Sequence, residues 1–410
     1  MADLVRQGTL TIIFPGGSRR TYGQGLPHVV VRLHDRRAVL VLAVRPEMKL
    51  GELYMDRRFT VEEGGTIADF LDLMITNLNQ RRQSASVLRL NAAMSFLLRR
   101  LRQFNSMSRA KVRVAHHYDL SGRLYELFLG KDKQYSCGYF NNPDDTLEEA
   151  QIAKKRHIAA KLLLERDNLS VLDIGCGWGG LALDLARDSG AEVTGVTLSE
   201  EQVVVAKDRA ARAALSDRCR FELVDYRAIN GQFDRIVSIG MFEHVGVPHY
   251  HSFFAKVRAL LKNDGVALLH FIGRVDGPGG TNPWITKYIF PGGYAPALSE
   301  VVPVIAKSGL IVTDIEVLRI HYAETLKAWR KRFEANRTEI AALYDERFCL
   351  MWEFYLAASE ASFRRDGMVV YQIQMTQHLD ALPLTRDYMI DAERSMRFSG
   401  TNRMPHQTAA

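Results

Sequence analysis

Along this chain the spacing of apolar residues changes character more than once. In the first hundred residues, short β-branched runs sit between polar stretches, and TLTIIF, HVVVRLH and AVLVLAV read as strands. GTIADFLDLMITNLNQ then carries apolar residues at helical spacing, with Thr66 placed as its N-cap. These elements predict a small α/β domain over residues 1–105. Within it, Leu90, Met94, Leu97, Leu101 and Phe104 fall on one side of a further helix.

From about residue 147, helices and strands alternate. LEEAQIAKKRHIAAKLLLE reads as a helix, SVLDIG as a buried strand, and GGLALDLARDSG as a helix ended by Gly190. AEVTGVTL, CRFELVD, FDRIVSIG and GVALLHFI are further strands. SEEQVVVAKDRAARAAL and HYHSFFAKVRALLKNDG are the helices among them. Such βαβ alternation predicts an α/β fold with a doubly wound, mostly parallel sheet. LIVTDIEVLR and MVVYQIQMTQ are expected to add edge strands on either side of a helical section from about Ala323 to Arg365. Residues 106–146 read as a basic linking segment, 147–380 as the main domain and 381–410 as a tail without a motif. No internal repeat or low-complexity tract interrupts this division.

Charge refines the picture. From Leu73 to Tyr118 there is no Asp or Glu but nine Lys or Arg: Arg81, Arg82, Arg89, Arg99, Arg100, Arg102, Arg109, Lys111 and Arg113. A basic amphipathic helix there suits an anionic membrane surface, and equally suits packing on its own protein with a solvated basic face. No recognition motif points to nucleic acid. No run of 18 apolar residues occurs and MADLVRQGTL lacks an apolar leader core, so neither a transmembrane helix nor a signal peptide is expected. Cys137, Cys176, Cys219 and Cys349 lack metal-ligand spacing and read as free thiols of a reducing cytoplasm. No metal site is expected.

The first strand of the main domain runs into Asp173-Ile-Gly175-Cys-Gly177-Trp-Gly179-Gly180. Glycines at a strand-to-helix turn let a ligand approach the backbone. Alone, they serve a dinucleotide, a nucleotide or only a tight turn. A dinucleotide site wants an acid at the end of the second strand, and here that strand ends Thr197-Leu198-Ser199. Asp173, inside the turn, would repel a pyrophosphate and suits a cationic cofactor.

DIGCGWGG resembles the motif of class I S-adenosylmethionine-dependent methyltransferases. With HYDLSG, YSCGYF (135–140), GMFEHVG (240–246), LLHFIGR (268–274) and HYAETLKAW (321–329), the chain from about 115 to 377 resembles cyclopropane-fatty-acyl-phospholipid synthases, which are related to mycolic acid cyclopropane synthases. The order of several separate motifs makes this specific. It implies a seven-stranded sheet of the class I methyltransferase type with the smaller N-terminal domain facing lipid. S-adenosylmethionine would be held by Tyr135, Ser136, Asp173, Gly175, Gly177, Thr197, Leu198, Gln202, Asp225 and Tyr226, with Asp225 and Tyr226 near the adenine. The tyrosine-rich segment would close over it. The sequence departs from many relatives at Gly138, where Ala is common, and at Ser359, where Cys is common.

The resemblance also implies a second small ligand. Methyl transfer to a cis double bond of an unsaturated phospholipid leaves a carbocation, and loss of a proton from the added methyl closes a cyclopropane ring. A bound bicarbonate is the implied base, held by Glu243, His270 and Tyr322 with backbone of Cys137 and Ile272. Glu243 would accept from its hydroxyl, and His270 and Tyr322 would donate to it. Aromatic faces stabilise such a cation by roughly 0.5–2 kcal/mol each, though which rings do so is not legible. Taken singly, His270 also fits a satisfied core residue, Glu243 a helix cap and Tyr322 ordinary packing. Cys137 has no adjacent base, which argues against a thiol nucleophile. Three functions stay open: ring formation, methylation stopping at a branched chain or an amine, and a non-enzymatic lipid- or cofactor-binding protein. The expected setting is cytoplasmic and peripheral, on the inner leaflet of the cell membrane, as monomer or homodimer. FIGRVDGPGGTNPWITKYIFPGGYAP (271–296), with Trp284, Tyr288 and Phe290, reads as a lid, a membrane-touching loop or a plain surface loop.

Overall fold

The structure is a computed structural model that describes residues 5–82 and 120–401. The expected basic helix around Leu90–Phe104 lies outside the described residues, as does HYD of the HYDLSG motif.

The N-terminal sheet has the order β2-β1-β3-β4. TLTIIF and HVVVRLH form β1 (Gly8–Ile13) and β3 (His28–Leu33) as expected, paired in parallel. Two short, polar strands complete it, β2 (Arg19–Gln24) and β4 (Phe59–Glu62), which apolar periodicity does not reveal.

AVLVLAV, read above as a strand, is instead the helix α1 (Arg36–Val44). Asp35 decides it. Its carboxylate accepts from the Ala38 N–H at 2.8 Å, and Arg58 clamps it with two bonds of 2.7 Å. A helix N-terminus with its cap in place overrides the β preference of Val and Leu. Pro46 then opens α2 (Pro46–Met55), and α3 (Ile67–Arg82) starts at the predicted Thr66, whose N–H donates to Asp69 Oδ2 at 2.8 Å.

Helix α4 (Gly122–Leu129) and helix α5 (Leu147–Lys161), started by a reciprocal Thr146–Glu149 capping box, lead into the main sheet. There follow β5 (Ser170–Ile174), α6 (Gly180–Ser189), β6 (Glu192–Thr197), α7 (Glu200–Arg212), β7 (Cys219–Leu223), β8 (Phe233–Ile239), α8 (Tyr250–Leu260) and β9 (Leu261–Arg274). The strand begins where α8 ends, so the KNDG expected to finish that helix lies in β9. After it come α9 (Pro283–Tyr288), α10 (Leu298–Lys307), β10 (Ile311–Leu318), α11 (His321–Ala335), α12 (Arg337–Leu343), α13 (Glu346–Arg365), β11 (Met368–Thr376) and α14 (Asp387–Thr401).

The seven strands run β10-β11-β9-β8-β5-β6-β7. β5 to β9 pair in parallel, and β11 is antiparallel to both β9 and β10. Of the two expected edge strands, only β10 is at an edge. β11 is interior, and all its residues after Met368 are buried, because it inserts between β10 and β9. The chain leaves β5 toward β6 and β7, then returns to β8 on the other side. That reversal opens a crevice at the carboxyl ends of β5 and β8.

Segment 271–296 is neither a plain loop nor a membrane-facing one at its tryptophan. Its start belongs to β9 and its middle to α9. Trp284 is only 1% exposed, with its ring 4.7 Å from that of Phe354. It also lies against Gly51 of α2, where an added Cβ would run into the indole. Glu52 accepts from Lys287 at 2.7 Å and from Tyr288 at 3.0 Å, joining α2 to α9. One continuous hydrophobic core therefore spans the N-terminal sheet, α4, α9 and α11 to α13. The tail supplies α14, which packs on α5, with the Tyr388 hydroxyl accepting from Gln374 Nε2 at 2.7 Å. Among the described residues no helix is long and apolar enough to cross a membrane.

Gly51→Ala should therefore act as overpacking between α2 and α9 and cost about 1–3 kcal/mol. Chemical denaturation should show a lower midpoint with an unchanged slope, and an unchanged midpoint would mean that this contact is not tight.

Candidate active site

The glycine turn lies where β5 meets α6, at the crevice. Gly175 and Gly177 both have positive φ, 86° and 54°. A Cβ on Gly175 would sit 2.9 Å from Met241 Cβ, whereas one on Gly177 meets nothing within 4 Å. The turn is thus closed on one side by protein and open on the other. Asp173, Gly175, Gly177, Thr197, Leu198, Gln202, Asp225 and Tyr226 line one pocket there, together with Tyr135 and Ser136. Thr197 Oγ1 donates to Gln202 Oε1 at 2.7 Å, which leaves the amide nitrogen of Gln202 as a donor. Asp225 is held by Arg227 through bonds of 2.8 and 2.6 Å.

Asp173 is buried, and burial pushes its carboxyl up to about 7, with Lys154 pulling it partly back. A ligand cation placed beside it would restore its charge, which is the behaviour expected of a site for a positively charged cofactor. Lys154, on α5, was not singled out by any motif. It is fully buried, and burial, aided by neighbouring Lys155, lowers its ammonium to about 7. Its Nζ donates to Gln134 Oε1 at 2.7 Å and to Ser136 Oγ at 2.8 Å, so it pins the segment that precedes Cys137.

That tyrosine-rich segment is stitched down along its length. Gln151 Nε2 donates to the Ser136 carbonyl at 3.0 Å, the Gly138 N–H to Thr325 Oγ1 at 3.0 Å, and the Phe140 N–H to His321 Nδ1 at 3.0 Å. The Tyr139 ring stacks between His157 and His321, at 4.1 and 4.8 Å. The Tyr135 hydroxyl lies 2.9 Å from that of Tyr355. Its ring meets Tyr125, Phe128 and Trp329 at 5.6, 5.9 and 5.3 Å, and Trp329 meets Tyr322 at 5.7 Å. The rings left unassigned from sequence thus form one aromatic cluster beside the pocket.

Five further residues were singled out, and none is on the pocket lining. Glu243 and Ile272 are in direct contact, with the Ile272 N–H donating to Glu243 Oε1 at 2.6 Å. Pairing with β8 stops at Ile239–His270, so the peptide of Ile272 faces the space beyond the end of β8. Glu243 does not cap a helix. It sits in a single 3-10 turn (Phe242–His244), its Oε2 is buried without a hydrogen-bond partner, and burial raises its carboxyl to about 7. His270 lies inside β9, two residues from Ile272. Burial, with Lys154 and Lys161 adding to it, lowers its imidazole to about 3, so the ring is neutral. With the Gln372 amide nitrogen 3.2 Å from Nδ1, that atom accepts and the ring proton stays on Nε2. Tyr322 stands three residues before Thr325 on α11, with its ring 4.6 Å from Phe363. Cys137 is buried, and burial pushes its thiol up, away from the thiolate. Lys154 is electrostatically felt by Asp173, Cys137 and His270 alike, which ties the two sides of the site together.

Sheet order, glycine turn and crevice define a class I methyltransferase fold. A family model described as mycolic acid cyclopropane synthetase matches residues 105–373. The cyclopropane-fatty-acyl-phospholipid synthase of Escherichia coli K12 is 40% identical over 281 residues, 68% of this chain and 72% of that protein. A probable fatty acid methyltransferase of Pseudomonas putida is 39% identical over 289 residues, 67% and 73% of the two chains. The crystal structure of mycolic acid cyclopropane synthase CmaA1 complexed with SAH and CTAB superposes with a TM-score of 0.61 at 34% identity, covering 65% of this chain and 97% of that one. The chain belongs to the mycolic acid cyclopropane synthetase family and is an enzyme of the methyltransferase class.

Two outcomes test the pocket. Gly177→Ala places a methyl group in the open side of the turn at a φ unfavourable for Ala, and should weaken S-adenosylhomocysteine binding by about tenfold while lowering stability by about 1–2 kcal/mol, read as a reduced unfolding midpoint. In Lys154→Met the pull on Asp173 is lost, so its carboxyl should titrate above about 7. The affinity for the cationic S-adenosylmethionine, which should rise with pH as Asp173 ionises, should then rise at a higher pH than in the parent, as read by calorimetry across pH 6–9.

Proposed function

We propose that the protein transfers a one-carbon unit to the cis double bond of an unsaturated phospholipid acyl chain and closes it to a cyclopropane. The observation that carries this reading is Glu243: a buried carboxyl with its pKa raised to about 7, one oxygen on the Ile272 amide and the other without a partner.

S-adenosylmethionine, when bound, supplies an electrophilic sulfonium methyl group. The pocket residues fit it. The open side of Gly177 admits a ligand against the backbone, Asp173 suits its positive charge, and Gln202 offers an amide donor. Tyr135 and Ser136 would cover it from the segment that Lys154 pins. The acyl double bond is a weak, uncharged nucleophile, so the surroundings of the reacting carbons must exclude water and tolerate a cation. Tyr135, Tyr322 and Trp329 would offer ring faces of that kind.

Ring closure needs a base, and the chain's own groups are poor ones. Cys137 stays a thiol, and the neutral His270 imidazole has its Nδ1 occupied by Gln372. They are better placed to hold a small anion than to take the proton themselves. Bicarbonate fits this donor set and would supply a weak base that does not trap the cation. His270 Nε2–H and the Tyr322 hydroxyl would donate to it. Glu243 would accept from its hydroxyl through Oε2, with the Cys137 backbone as a further contact. The Ile272 N–H is already engaged by Glu243, so Ile272 would act by orienting that carboxylate. Glu243, with its pKa near the operating pH, is suited to pass the proton onward.

Acyl-chain analysis of an expressing host tests the reading. Each double bond consumed should add one CH2 and lose its olefinic proton signals, with cyclopropane protons appearing. Added carbon with an olefin or branched methyl retained would overturn ring closure, and head-group methylation would overturn the acyl acceptor.

Glu243 gives a separate prediction. Its ionised form is the acceptor, so turnover should climb with pH through about 7. Glu243→Gln should flatten that limb and lower the rate on the order of 10²-fold. Stability should move the other way. The folded pKa lies above the unfolded value of 4.5, so the native state holds the extra proton and loses stability as pH rises from about 4.5 through 7. Above pH 7 the ligand-free Gln variant should melt higher than the parent, with the gap vanishing below pH 5. Near-parental turnover in Glu243→Gln would remove the residue from this role.

A further inference from the structure

Helix α1 holds seven consecutive apolar residues, Ala38 to Val44, in an element that has only one side to bury. Ala38 is buried, and Val39, Val41 and Leu42 pack half-buried on the N-terminal core. The opposite side carries Leu40, Ala43 and Val44, and Leu40 and Val44 are 67% and 77% exposed. At i, i+3 and i+4 spacing these three form one stripe. A surface helix normally places charged or polar residues there. Here the polar residues sit at the ends: Arg36 and Arg37 in the first turn and Arg45 just after the last, all exposed. The helix contains no acid. Its capping Asp35 is held by Arg58, and the next acid along the chain, Glu47, lies in α2.

We propose that α1 docks the protein on an anionic phospholipid bilayer, with Leu40, Ala43 and Val44 entering the interface and Arg36, Arg37 and Arg45 pairing with headgroup phosphates. An apolar stripe bounded by arginines matches the apolar-to-anionic gradient of such an interface. Cationic ends distinguish this occupant from an apolar protein groove. The assignment rests on the acyl-chain reading above, since that substrate lies in the same bilayer. The stripe was invisible in the sequence because a strand of AVLVLAV would have been buried on both faces.

All four native cysteines are buried, so Ala43→Cys would carry a uniquely accessible thiol for an environment-sensitive fluorophore. With dioleoylphosphatidylglycerol vesicles the label should shift to the blue and the protein should pellet, with much less of both on dioleoylphosphatidylcholine. Leu40→Asp/Val44→Asp should weaken pelleting roughly tenfold or more. Arg36→Glu/Arg37→Glu should remove the preference for the anionic vesicle. Melting midpoint and S-adenosylhomocysteine affinity should be unchanged in both, which excludes misfolding. An unshifted label on the anionic vesicles overturns the proposal. So does parental pelleting by Leu40→Asp/Val44→Asp, and a change of oligomeric state in sedimentation velocity would then assign the stripe to a second copy of this chain. None of these readouts uses turnover. A protein that docks through α1 yet leaves acyl chains unaltered would instead overturn the preceding reading alone.

Discussion

The site depends on one mismatch in strand length. β9 runs on from Phe271 to Arg274 after its pairing with β8 has ended at His270. Past that point the peptide of Ile272 has no strand on its β8 side, although β11 still flanks the other, and Glu243 fills the place by accepting its N–H. A parallel sheet whose neighbours end together would have buried these groups in its own ladder. Here the overhang creates a polar recess at the carboxyl edge, near the turn where Gly177 leaves the backbone open.

Burial then sets the chemistry. In a low-dielectric surrounding the uncharged form of every titratable group gains, so Asp173 and Glu243 rise while Lys154 and His270 fall. The result is two carboxyls and an ammonium that titrate near 7, together with an imidazole that stays neutral. On the proposed mechanism such a set would receive a cation at Asp173 and pass a proton through Glu243, and a strong nucleophile would be harmful because it would capture the carbocation irreversibly. The buried Cys137 thiol is held away from that role by the same desolvation.

The two parts of the chain are less separate than their sequence patterns imply. Trp284 and Glu52 tie α9 to α2, and the core that supports Tyr135 and Tyr322 continues under the N-terminal sheet. The N-terminal sheet and the aromatic wall beside the pocket thereby share one hydrophobic core.

Local signals were legible in the sequence wherever neighbouring residues decide the outcome. The DIGCGWGG turn, the caps at Thr66 and Gly190, and the alternating strands of the main domain depend on backbone conformation and short-range hydrogen bonds, and they appear where expected. The family motifs likewise gathered ten residues that line one pocket. Only the tertiary structure decided what depends on distant partners. Arg58 secures the Asp35 cap and turns AVLVLAV into a helix. β11 becomes an interior strand because β10 and β9 flank it. Lys154 becomes a hub because α5 lies under the tyrosine segment, and Trp284 is interior because Gly51 leaves room for it. Sequence spacing carries no record of these approaches, and the shifted acidities of Glu243 and His270 arise from burial that only the assembled fold creates.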